Sequence, residues 1–130
     1  MGTLKVGTIR SNTASTPSSF QDTNGVEVGQ LCRIWVNFNS VTTTTINDSL
    51  GVSSLTDNGT GDTTINFTVA MPSINYSYIA TTHANTGDLV NVIGRRSDTS
   101  PTTTALRLLQ RNQAGTAFDS NYVCVAIFGD

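Results

Sequence analysis

The side chains best suited to chemistry lie in the second half of the chain. His83, the only histidine, stands in a small polar segment with Asn85 and Asp88, five residues beyond Tyr78, and Arg95-Arg96 is followed by Asp98. Sugars are read by an aromatic face together with a few Asn, Asp, His or Arg groups, whose planar polar ends hydrogen-bond to hydroxyls. Tyr78, His83, Asn85, Asp88, Arg95 and Arg96 are therefore the candidate ligand or receptor-binding residues, the arginines offering forks of donors to an acidic sugar or phosphate. The plainer reading of the same residues is a solvated loop and a charged turn, in which an Arg–Asp98 pair contributes little.

Catalytic groups are harder to assemble. Glycan cleavage needs two carboxylates a few ångströms apart, one of them with a raised pKa. The acidic residues, Asp22, Glu27, Asp48, Asp57, Asp62, Asp88, Asp98, Asp119 and Asp130, fall mostly in turn-like sequence, where carboxylates are solvated caps and turn formers. No Gly-x-Ser-x-Gly frames a nucleophile, and no glycine-rich loop opens a helix to cradle phosphate. Cys32 and Cys124 lack a CxxC-type neighbour, so a metal site is not expected. As a pair they fit buried thiols, one disulfide or coincidence, with small buried hydrophobes the favoured reading. No enzyme activity, catalytic residue, metal or cofactor is expected.

The elements that must position these residues are strands. Charged residues make up 12% of the 130 positions, against about 25% in an ordinary domain, and Thr, Ser and Asn fill the deficit. A formal net charge of −2 gives no footing for polyanions, so nucleic acid is not an expected partner. No stretch approaches the ~20 apolar residues of a membrane span. The first twenty residues lack the basic start and apolar middle of a secretion signal, so release by lysis is the expected route out of the cell.

β-branched and aromatic runs recur about every ten residues. They predict eight strands over residues 4–9, 31–38, 50–55, 63–69, 76–82, 89–94, 105–111 and 122–128. Residues 105–111 have helical propensity, yet Leu106, Leu108 and Gln110 alternate with Arg107, Leu109 and Arg111 as in a strand. Asp57-Asn58-Gly59 supplies the Asn-Gly pair of a type I′ hairpin turn. The fold class is all-β, an antiparallel sandwich of about eight strands. Residues 1–30 are read as an N-terminal strand and polar linker arm, and residues 31–130 as the sandwich domain. Within the arm, Leu4, Val6 and Ile9 form a short apolar strand that is marginal alone, and they are the candidate assembly residues. Trp35, with polar neighbours on the face opposite Ile34, Val36 and Phe38, fits a sugar platform less well than packing under a loop or at a subunit contact. Trp35, Phe67 and Tyr76 are taken as framework residues.

Several segments carry a family likeness. TLKVGTI (residues 3–9) resembles the opening of phage fibre proteins, in particular from phages of cyanobacteria and other aquatic bacteria. CRIWVNFN (32–39), VSSLTDNGTGD (52–62), FTVAMP (67–72) with Asn75-Tyr76, and the closing VCVAIFGD (123–130) resemble, in order, blocks of a recurring phage tail-fibre domain. The resemblance implies a virion protein, assembled in the host cytoplasm and released by lysis: a non-enzymatic tail-fibre, tip or related appendage component involved in host attachment. It also implies a β-sandwich that is a homotrimer, with other virion proteins as partners through the N-terminal arm and a host surface glycan as the receptor-side partner. Alternative readings are a capsid decoration or cement protein and a glycan-binding, lectin-like module.

Overall fold

A computed structural model describes Thr8 and residues 19–83 and 91–129; Leu4, Val6, Ile9 and, apart from Thr8, the predicted strand at 4–9 lie outside them. The described residues contain ten strands and no helix, and every strand pair is antiparallel. They are β1 (Ser19–Gln21), β2 (Glu27–Gln30), β3 (Ile34–Asn39), β4 (Thr45–Leu50), β5 (Val52–Gly59), β6 (Asp62–Phe67), β7 (Ser77–Thr82), β8 (Asn91–Arg95), β9 (Ala105–Asn112) and β10 (Val123–Phe128). Two four-stranded sheets, ordered β4-β3-β10-β7 and β5-β6-β9-β8, build the sandwich, and β1-β2 forms a separate ribbon. For brevity they are the first sheet, the second sheet and the ribbon.

The core follows from alternation. Ile34, Val36 and Phe38 of β3 and Val123, Val125 and Ile127 of β10 turn inward from the first sheet, and Ile65, Phe67, Leu106 and Leu108 of β6 and β9 meet them from the second. A period of two on each strand leaves the intervening residues on the outer faces. Tyr76 packs its ring edge-on against Phe67, centroids 5.8 Å apart, and donates its hydroxyl to the Ala105 carbonyl at 3.1 Å. At one end of the sandwich a buried polar link joins the sheets. Gln110 donates to Ser40 Oγ (3.1 Å) and accepts from Thr82 Oγ1 (2.8 Å), while the Ser120 N–H donates to the same serine oxygen at 2.9 Å. Such a cross-sheet link fixes one alignment of the two layers, because the buried Gln110 amide would otherwise be left unsatisfied.

Four features differ from the sequence reading. β4 was not expected. It is an edge strand exposed along nearly its whole length, so it lacks the apolar alternation by which a strand is recognised. The predicted strand at 50–55 is in fact the junction of two strands, since the chain passes from β4 in one sheet to β5 in the other through Gly51 alone (φ +73°). A Cβ there would meet the Arg33 carbonyl oxygen at 3.0 Å. The third difference is the ribbon, which occupies part of the stretch read as polar linker. Asp22 organises its turn, its carboxylate accepting the N–H groups of Asn24 (2.8 Å) and Val26 (2.9 Å).

The fourth difference is the β5–β6 turn. The hairpin forms, but its two-residue loop is Thr60-Gly61, Asn58 lies within β5 at a register shift, and only Gly61 of the loop pair has positive φ (+70°). It is not type I′, which needs positive φ at both loop residues. Tertiary contacts hold the loop in that position: the Gly61 N–H donates to Asp119 (2.7 Å) and its carbonyl accepts from the Gln110 N–H (2.7 Å).

Candidate functional site

The six candidate ligand residues do not form one constellation. Asn85 and Asp88 lie outside the described residues. Tyr78 turns inward against the core, and its hydroxyl accepts the Arg95 backbone N–H at 2.8 Å. His83 is exposed just beyond the other end of β7, about 16 Å from Tyr78 at the usual rise per strand residue. Its backbone is tied to Tyr122 and Asn91. Arg95 extends a guanidinium nitrogen to the Thr99 carbonyl. Only Arg96 enters a larger assembly of charge.

That assembly sits on the outer face of the second sheet. β6 and β9 are registered so that Asp62 pairs with Leu109 and Thr64 with Arg107. The Asp62 carboxylate, 4% exposed, accepts Nε (2.7 Å) and Nη2 (2.8 Å) of Arg107 as a two-pronged fork and also accepts Nη1 of Arg96. Arg96 in turn donates Nε (2.7 Å) and Nη2 (3.1 Å) to Asp98. Hydrogen bonds from Arg107, joined by those from Arg96, hold the Asp62 carboxyl below its usual range even though burial pushes the other way. The Arg96 hydrogen bonds likewise lower Asp98. The guanidinium of Arg96 is held more firmly protonated by Asp98 and Asp62. A carboxylate fixed as the anion by two guanidinium groups is a positioning device and not a proton acceptor near neutrality.

Asp62 was expected in a solvated turn; it is instead buried at the start of a strand, because the preceding turn is drawn onto Gln110 and Asp119. Arg107 was missed as its partner. The two are 45 residues apart, and only the β6–β9 register brings them together.

The outer face of the first sheet is chemically the opposite. Leu50, Trp35, Ala126 and Ile79 are successive cross-strand partners on β4, β3, β10 and β7, so they form one apolar row across all four strands. Leu50 is 52% and Ile79 65% exposed. Beside the row, Trp35, Asn37, Ile79, Thr81, Cys124 and Ala126 line a shallow depression of about 340 Å³. Cys124 therefore belongs to this outer face and not to the core; its sulfur accepts from Asn37 Nδ2 at 3.3 Å. Cys32 is a half-buried thiol directed at the Ile34 carbonyl (3.3 Å), and both cysteines are free. Among the described residues no three His, Cys, Asp or Glu side chains converge as metal ligands.

No known protein family, curated protein or solved structure matches this chain.

Proposed function

We propose that this chain is a non-enzymatic structural protein of a phage particle, a component of a tail fibre, tip or related appendage that takes part in host attachment and assembles with itself as a homotrimer. The observation that carries the reading is the row Leu50, Trp35, Ala126 and Ile79, an uncharged stripe crossing an entire outer sheet face. Contiguous exposed apolar surface of this kind is a protein contact more often than a solvent face, and aromatic residues are enriched at the centre of such contacts. A second copy suits the stripe, because it offers nothing for a charged partner to pair with. A closed ring of copies would cover it without leaving an open end for fibre growth. The segments that resemble phage fibre blocks support the virion setting, and two of them, 32–39 and 123–130, contain the strands that carry Trp35 and Ala126.

Size-exclusion chromatography with light scattering tests the assembly. The protein is expected to elute as a trimer at micromolar concentration, and Trp35→Asp and Ile79→Asp are expected to yield folded monomers. A wild-type monomer under these conditions refutes it. Electron microscopy of the particle tests the setting, with density at the tail or fibre expected and density confined to the capsid surface favouring a decoration protein.

A further inference from the structure

Two depressions on the outer face of the second sheet, of about 330 Å³ and 260 Å³, share Ser97, Leu109 and Arg111 as common walls. Together they make one groove running from the β5–β6 turn across β9 to β8. Its floor is Leu109 with Val92 alongside. Arg96, braced on Asp62 and Asp98, stands over one half with Asp98 and Asn58. Arg111 lines both halves and donates one guanidinium nitrogen to the Gly115 carbonyl at 2.5 Å.

Gly94 is the telling residue. It lies inside β8 opposite Leu109 and lines the groove. Its φ is outside the left-handed region, and a Cβ built on it would meet nothing within 4 Å. Neither backbone conformation nor packing calls for glycine there, while glycine weakens a strand. The bare backbone leaves open space in which a flat ligand can lie against the strand.

We infer that this groove binds an acidic oligosaccharide, two sugar rings long and carrying a uronate. The rings would rest on Leu109 and the bare backbone of Gly94. Arg111 would hold the carboxylate in a charge-assisted fork, and Arg96, Asn58, Ser97 and Asp98 would exchange hydrogen bonds with hydroxyls. The mixture of signs selects against other ligands. Asp62 and Asp98 already neutralise Arg96, which leaves too little free positive charge for a dense polyanion such as nucleic acid, and the polar walls penalise an apolar ligand. Taken together, the two depressions of about 330 Å³ and 260 Å³ fall within the range of small-ligand sites, about 300–1,000 Å³. The inference goes beyond self-assembly and uses the opposite sheet, so it does not depend on the trimer.

The test is titration of the full chain with cellobiuronate, with digalacturonate, with the neutral cellobiose, and with inorganic sulfate, followed by calorimetry and by NMR of the groove residues. One of the uronates is expected to bind with Kd of ~1 mM or tighter, and cellobiose about tenfold more weakly, the equivalent of one charge-assisted hydrogen bond. Gly94→Val is expected to keep or raise thermal stability yet abolish binding, and Arg111→Gln to erase the preference for the acid. Trp35→Asp should bind as wild type does. Absence of binding to either uronate at ~10 mM, undiminished binding by Gly94→Val, or sulfate binding as tightly as the uronate would each overturn the inference.

Discussion

Replacing Gly61 by alanine is the sharpest test of how the sandwich is held together at its polar end. An alanine at φ +70° carries the left-handed penalty of about 1–2 kcal/mol. Its Cβ would also lie 2.7 Å from the Gln110 carbonyl oxygen and 2.8 Å from that of Phe118. Both are backbone atoms, and Gly61 is bonded through its own N–H and carbonyl to Asp119 and Gln110, so the loop cannot retreat without breaking those bonds. Overpacking of this sort costs about 1–3 kcal/mol more, for a total of about 2–5 kcal/mol. Gly115→Ala is the matched control: its φ is +79° and a Cβ meets nothing within 4 Å, so only the conformational penalty applies. Urea unfolding followed by Trp35 fluorescence, at fixed protein concentration, would measure both. The two variants should differ by at least about 1 kcal/mol, or about 3–5 °C in Tm for a domain of this size. If Gly61→Ala falls within 1 kcal/mol of Gly115→Ala, the proposed close approach of the turn to Gln110 and Phe118 is wrong.

Asp62→Asn should cost about 2–3 kcal/mol at pH 7, less than for a wholly buried pair because both arginines are about one-third exposed and can rehydrate. Because the folded carboxyl lies below the ordinary value of 3.8, its contribution is present above that value and is lost as the pH falls through the folded pKa. The stability gap between wild type and Asp62→Asn should therefore narrow on acidification from pH 7; a constant gap in denaturant titrations at both pH extremes would contradict it. Gln110→Leu should cost about 2 kcal/mol by stranding Thr82 Oγ1 and removing a donor from Ser40. Combining it with Thr82→Val should recover part of that loss, and strict additivity in the double-mutant cycle would show that the polar link is not coupled.

The strands that bury one face could be read directly. In β3 and β9 the alternation of residues separates two faces in the sequence, and the faces that hold Ile34 and Val36 and hold Leu106 and Leu108 are the buried ones. β4 and the ribbon bury too little to leave that imprint. The β5–β6 turn was placed two residues early because Asn58-Gly59 has the local preference, whereas Gly61 has the tertiary contacts. The candidate site was read less well. Arg96 and Asp98 are neighbours in sequence and were found together, but Asp62 and Arg107 meet only through strand register. The only marks they leave in the sequence are a rare charge beside a strand start and an arginine on the outward alternation of β9. Tyr78 was misread because an aromatic near a polar loop looks the same whether it faces water or the opposite sheet.

The position of β10 has a consequence for biogenesis. It is the last strand of the sandwich to leave the ribosome, yet it lies inside the first sheet, between β3 and β7. The second sheet is complete once β9 has been made, at Asn112, whereas β3 and β7 have no common neighbour until β10 arrives. Pairing across so long a separation makes folding slow and leaves two strand edges open in nascent or truncated chains. The apolar row is equally unfinished, since Ala126 is the link between Trp35 and Ile79. A chain cut short before β10 leaves β3 and β7 unjoined and the inner face of the second sheet uncovered, and it cannot display the row.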